Sequence, residues 1–179
     1  MSGDALAVRD GADGCVAMVV DGLGHGPLAA AAARGALDVF ARVGGALPAE
    51  ILAQAHDALR TTRGAAAAVA HIHRHLGIVR FCGVGNIAGA VIVQGAVRRM
   101  VSHNGTMGMG APRIGEFTYP WSSDALAVLH TDGLGSKWDL AAYPGLSTRP
   151  PSLIAAVLYR DFARDRDDVT VLVLREGPG

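Results

Sequence analysis

Val16-Ala17-Met18-Val19-Val20-Asp21-Gly22-Leu23-Gly24 is the stretch on which the reading of the fold turns. The run Val16 to Val20 is apolar, of strand length, and ends in Asp-Gly. The turn residues Asp10-Gly11-Ala12-Asp13-Gly14 precede it, which predicts a hairpin feeding a central strand. The tetrapeptide Asp-Gly-Leu-Gly returns at Asp132 to Gly135, directly after a second apolar run, Ala125 to Thr131. Two aspartates are thereby expected at the ends of core strands.

Outward from these runs the periodicity changes several times. Pro27 to Val43 reads as a helix opened by proline and stopped by Gly44-Gly45. Pro48 to Leu59 carries Ile51, Leu52, Ala55 and Leu59 at helical spacing. An antiparallel meander follows: Ala65 to His73, Ile78 to Val84, Ala88 to Val93, then Val97 to Val101 beyond a turn at Gln94-Gly95. The glycine-rich segment Ser102 to Pro112 reads as an ordered surface loop. Ile114 to Tyr119 and Ala125 to Thr131 are strands flanking a turn at Trp121 to Asp124. Pro151 to Phe162 is the last helix, and charged residues Arg164 to Asp168 lead into a strand from Val169 to Leu174. Many strands with few helices predict an α+β fold, its sheets face to face and its helices outside.

At 179 residues the chain suits one well-buried domain spanning 1–179. Acidic and basic side chains balance at 16 each, so no net field points toward nucleic acid or a charged membrane. No apolar run reaches the roughly 18 residues of a spanning helix, and Met1-Ser2-Gly3-Asp4 lacks the features of a secretion signal, so a cytoplasmic location is expected. Cys15 and Cys82 lie in separate apolar stretches and read as buried thiols.

The chemistry is carried by aspartates. Besides Asp21 and Asp132, the pair Asp167-Asp168 leads into the last strand and Asp4 precedes the first hairpin. If the sheet edges gather these groups they repel one another, a cost relieved by protonation or by a cation. Oxygen ligands favour hard ions such as magnesium or manganese over zinc. Two such ions roughly 4 Å apart, bridged by one carboxylate, can direct a water at a phosphorus atom. Glycine after each aspartate allows close backbone approach, and its carbonyl can serve as a ligand. An Asp-Gly turn without chemistry is the competing reading of either motif alone.

Taken in order, Ser2-Gly3-Asp4, Val20-Asp21-Gly22-Leu23-Gly24-His25-Gly26, Arg63-Gly64-Ala65, Gly83-Val84-Gly85-Asn86-Ile87, His130-Thr131-Asp132-Gly133-Leu134 and Asp167-Asp168-Val169-Thr170 resemble the motifs of the metal-dependent (PPM, type 2C) serine/threonine protein phosphatases. Within them the chain is similar to the bacterial SpoIIE group, and above all to its small RsbX-like stressosome members. The resemblance implies an α-β-β-α sandwich of two antiparallel sheets flanked by helices. It implies two ions, Mn2+ or Mg2+: Asp21 bridging both, the Gly22 carbonyl on one, Asp132 and Asp167 on the other, and Asp4 reaching the first through water. The resemblance implies Asp167 rather than Asp168, because the family's ligand is the first residue of its Asp-Asp/Asn-x-Thr/Ser motif, and adjacent residues of a strand cannot both face the cleft. His25 is the candidate proton donor, since Leu23 stands where the eukaryotic branch has histidine. No counterpart of the eukaryotic phosphate-binding basic residue is evident, and Met1 leaves almost no room for the strand that family members usually carry before Gly-Asp: either the chain was cut or that strand is absent.

The implied activity is hydrolysis of phosphoserine or phosphothreonine on a bacterial regulatory protein, a STAS-type anti-sigma antagonist or stressosome component. Alternatives are a phosphatase-shaped binding module without activity, or the catalytic domain of a longer sensor- or kinase-fused phosphatase. Nothing in the sequence sets the oligomeric state. His71, His73 and His75 alternate and read as a solvated strand face, Asn86 as a turn residue that can border the site, and Trp121 and Trp138 as core anchors.

Overall fold

A computed structural model describes residues 1–164 and 167–177. Of the charged connection Arg164 to Asp168, Asp165 and Arg166 lie outside the described residues.

The chain opens with a hairpin, β1 (Asp4–Gly11) and β2 (Gly14–Gly22), followed by helices α1 (Pro27–Arg42) and α2 (Pro48–Ala58). The meander is β3 (Ala65–His73), β4 (Ile78–Val84), β5 (Ala88–Val93) and β6 (Ala96–Met100). Then come a short β7 (Ser102–His103), β8 (Glu116–Pro120), β9 (Leu126–His130), helix α3 (Pro151–Phe162) and β10 (Val171–Arg175). Strands β1-β2-β3-β4-β7 run side by side with β8 also on β4, giving a six-stranded sheet, and β10-β9-β5-β6 form a four-stranded one. All pairings are antiparallel except β4 with β7, a parallel contact inside the segment expected to be loop.

Three layers of apolar contact hold the sandwich. Val20, Val69 and Cys82 face Phe40, Ile51 and Leu52 of α1 and α2. Val19, Ala68 and Phe81 meet Val91 and Leu129 between the sheets. Val128 and Val173 meet Ile154 and Leu158 of α3 on the far side. The order is therefore helices, sheet, sheet, helix, as expected. Strand β2 alternates between the first two layers, which is why its sequence is a continuous apolar run.

Both cysteines are buried free thiols, and Trp121 and Trp138 are buried. The three histidines do not share one face, because β3 ends at His73 and His75 lies in the following turn. His71 and His73 are half-buried with ring centroids 3.8 Å apart. Segments absent from the sequence reading are 3-10 turns at Leu140–Ala142 and Leu146–Thr148, which bring Leu140 and Leu146 under α3. No described helix is long and apolar enough to cross a membrane.

Phe81 is fully buried between the sheets. Phe81→Ala should cost about 3–5 kcal/mol, read from the midpoint of urea unfolding at unchanged slope; a loss below 1 kcal/mol would mean the two sheets do not share this core.

Candidate active site

The aspartates meet at one end of the sandwich. Asp4 begins β1 and is the register partner of Asp21 near the end of β2, while Asp21 faces Ala66 on its other side. Asp132 follows β9, and Asp167 and Asp168 precede β10, which pairs with β9. A cleft of about 900 Å³ opens there, lined by Asp21, Asp132, Asp167 and Asp168, with Leu23, Gly24 and His25 on one wall and Gly85, Asn86 and Asn104 to Thr106 on the other.

The glycines after the two strand-end aspartates allow close packing at this convergence. A Cβ on Gly22 would collide with the Ala29 carbonyl in the first turns of α1, and one on Gly133 with the Asp168 carbonyl. Their missing side chains let α1 pack on the end of β2 and let Asp168 pack on the segment after β9.

Three of the five carboxylates have a donor from elsewhere in the chain. The Thr131 hydroxyl donates to Asp4 Oδ2 at 2.7 Å and accepts from the Thr170 backbone N–H at 3.0 Å. The Asn86 amide donates to Asp132 Oδ2 at 2.6 Å. The Gly3 N–H donates to Asp168 Oδ2 at 2.6 Å, and the Gly22 N–H to the Gly3 carbonyl at 3.0 Å, so the chain start is tied to both sides of the cleft. Asp21 has mainly acidic neighbours. Burial and then the charges of Asp4, Asp132 and Asp167, together with a side-chain hydrogen bond to Asp4, push its carboxyl up to about 7. Asp4 is raised as well, chiefly by burial, against the lowering effect of the Thr131 and Thr170 hydroxyls.

Behind the cleft, His130 is 1% exposed and neutral, its pKa lowered by burial. Trp138 Nε1 donates to its Nε2 at 3.1 Å, which leaves Nδ1 as the donor to the Thr131 carbonyl at 2.8 Å. The segment from His130 to Asp132 is thus fixed from behind.

Asp21, Asp132, Asp167 and His25, read from the sequence as site residues, all line this cleft, and the register brings Asp4 and Gly22 to the same end. One argument used to choose among them fails. Asp167 and Asp168 both border the cleft because they lie in irregular chain ahead of β10, where strand alternation does not apply. Among the described residues no three Asp, Glu, His or Cys side chains close on a single point as ligands of one ion; the acids ring the cleft rather than fill it. Three residues quoted in the sequence motifs have a part here that the sequence reading did not give them. Thr131 and Asn86 orient the aspartates, and Arg63 lies beside Gly24, whose added Cβ would sit 3.1 Å from the Arg63 Nη1. Asn86 was placed near the site but as a turn residue; its hydrogen-bond partner is distant in sequence.

The comparisons agree with this geometry. The family model for stage II sporulation protein E (SpoIIE) matches residues 11–176. No curated protein matches the chain. A chain solved in work on the bacterial stressosome, as a modular system adapted to control secondary messenger signalling, superposes with a TM-score of 0.88 at 28% identity, over 98% of this chain and 92% of that one. RsbX in complex with magnesium superposes with a TM-score of 0.81 at 20% identity, over 97% and 86% of the two chains. The SiaA-PP2C domain of Pseudomonas aeruginosa gives 0.74 at 22% identity, over 98% and 81%. At those lower identities the likeness is one of fold. With the family model covering most of its length, the chain belongs to the SpoIIE family, and its sandwich is the fold of RsbX and of the SiaA-PP2C domain.

Proposed function

We propose that this chain, acting as one catalytic unit in the cytoplasm, removes phosphate from phosphoserine or phosphothreonine of a bacterial regulatory protein, for which a STAS-type protein is the favoured class. The observation that carries the reading is the acidic cleft: Asp21, Asp132, Asp167 and Asp168 border one opening, Asp4 stands opposite Asp21 in the neighbouring strand, and Asp21 among them is pushed to about 7. A group of acids so placed is disfavoured unless protonated or neutralised by cations.

The donor set fits two Mn2+ or Mg2+ ions, being all oxygen and lacking thiolates. In this reading Asp21 and the Gly22 carbonyl, Asp132, Asp167 and Asp4 would hold them. Once bound, the ions would offset the phosphoryl charge and lend the Lewis acidity that activates water at neutral pH. The chain's own residues do the rest. Asp167 is exposed and faces the cleft, whereas Asp168 has one oxygen committed to Gly3, which supports Asp167 as the ligand of the pair. Thr131 and Asn86 hold Asp4 and Asp132 in fixed orientations, so little reorganisation is required when charge arrives. His25, exposed at the opening, would in this reading give a proton to the departing serine oxygen. The likeness to a stressosome chain and to magnesium-bound RsbX supports both the metal and a protein substrate.

Asp21→Ala and Asp132→Ala should each abolish manganese-dependent hydrolysis of an aryl phosphate while the circular dichroism spectrum stays native. Calorimetric titration of the unsubstituted protein should show uptake of about two ions; turnover surviving in either variant, or no uptake, removes the mechanism.

The raised Asp21 pKa fixes a sign. A carboxyl titrating near 7 in the folded state and near 4 unfolded holds its proton more tightly when folded, so its contribution to stability is full below about 4 and is lost as pH rises to about 7. The ion-free protein should therefore melt at a lower temperature at pH 7.5 than at pH 5, and Asp21→Asn should flatten that dependence. An unchanged slope in the variant would remove Asp21 as its source.

Thr131 is fully buried, and Thr131→Val deletes the hydroxyl that orients Asp4. Manganese affinity should fall about tenfold or more, with Thr131→Ser restoring it. Equal affinities for the valine and serine variants in calorimetry would assign the hydroxyl a purely structural part.

A further inference from the structure

Beside the acidic cleft lies a surface of opposite character. Three segments are tied into one ledge by backbone hydrogen bonds: Leu23 N–H to the Gly64 carbonyl at 2.9 Å, Met107 N–H to Ala65 at 2.8 Å, and Ala65 N–H to Met107 at 3.2 Å. The ledge presents Leu23, 48% exposed, Met109, 47% exposed, and the guanidinium of exposed Arg63. The arrangement is built rather than incidental. Gly24 has a φ of +86°, a conformation that favours glycine, and a Cβ there would lie 3.1 Å from Arg63 Nη1 and 3.7 Å from Nη2, so the guanidinium rests close against this loop. Met109 packs close to Gly64, where an added Cβ would stand 3.6 Å from its Cγ.

The ion pairs of the described residues leave Arg63 out. An arginine with no paired carboxylate, flanked by two exposed apolar side chains, is the composition of an interface anchor. Leu23 and Gly24 belong both to this ledge and to the cleft wall, so a polypeptide that reaches the cleft from this side passes over the ledge.

We infer that the ledge formed by Leu23, Arg63 and Met109 is the docking surface for the protein substrate, and that it selects a phosphorylated segment bearing a carboxylate and an apolar side chain next to the phosphorylated residue. The inference rests on the phosphatase reading for the placement of the phosphate in the cleft. Arg63 lies beyond Gly24 and is not among the residues lining the cleft, so the group it meets is a neighbour of the phosphorylated residue rather than the phosphate itself. The acids within the cleft repel a carboxylate, whereas Arg63 attracts one; the pair of surfaces together sets the direction in which the segment lies.

The test is binding, independent of hydrolysis. Two peptides with a leucine beside a non-hydrolysable phosphonate analogue of phosphoserine, one with a flanking glutamate and one with a flanking lysine, are titrated into the magnesium-loaded protein and followed by fluorescence anisotropy. The unsubstituted protein should bind the glutamate peptide about tenfold more tightly. Arg63→Glu should reverse the order, and Met109→Ser should weaken both peptides. Equal affinities in the unsubstituted protein, or an order that survives Arg63→Glu, overturns the inference. Binding in the expected order by a protein that leaves the corresponding phosphoserine peptides intact would instead count against the phosphatase reading alone.

Discussion

Repulsion among carboxylates at one edge of a packed sandwich is the constraint around which the rest of the molecule is arranged. Asp4 and Asp21 stand opposite each other in adjacent strands, and Asp132 and Asp167 approach from the second sheet. Like charges opposite one another in a sheet destabilise it. The sequence accepts that cost at the place where its backbone is most firmly committed, the end of the buried strand β2. Extensive apolar contact on both faces of that strand offsets a local penalty that an edge loop could not absorb.

The penalty is also contained by the manner in which each acid is held. Asp4 and Asp132 are fixed by a hydroxyl and an amide from other elements, so neither relaxes outward to lower the repulsion. Thr131 does this while replacing a rung of the β9–β10 ladder: its side chain, rather than a backbone carbonyl, accepts the Thr170 N–H. Behind it, His130 and Trp138 satisfy each other's buried nitrogens and leave no solvated slack in the segment that carries Asp132. A site kept rigid in this way meets incoming cations already close to its bound arrangement.

The sequence disclosed the layers because the signals for them are local. Strands Ala65–His73, Ile78–Val84 and Ala88–Val93 have the bounds that their apolar runs and punctuating glycines indicate. The strand after β5 begins at Ala96 rather than Val97 because Gln94 and Gly95, with φ of 50° and 79°, close a tight two-residue turn. The last strand begins at Val171 rather than Val169, since the Thr131 hydroxyl intercepts the ladder at Thr170. The aspartates were legible for a similar reason: each follows or leads an apolar run. Their partners were not. Thr131 reaches Asp4 across 127 residues and Asn86 reaches Asp132 across 46, and no spacing in the chain encodes such meetings. The part of Arg63, quoted only within a motif, was hidden for a different reason. Its part depends on a glycine in another segment having a positive φ, and a lone Gly24 in a glycine-rich loop carries no sign of which side chain it makes room for.

The separation of Arg63 from the aspartates has a physical logic. An arginine inside the cleft would pair with Asp21 or Asp132 and neutralise the charge that the proposed ions would offset. Kept outside by the width of the Leu23–Gly24 loop, it adds attraction for an anionic polypeptide without competing for the same carboxylates. A cleft that processes a phosphate through bound cations treats every phosphoryl group much alike, because the groups it meets are oxygens common to all of them. Discrimination between phosphoproteins must then come from surface beyond the cleft, and the ledge of Leu23, Arg63 and Met109 adjoins it on the wall shared by Leu23 and Gly24.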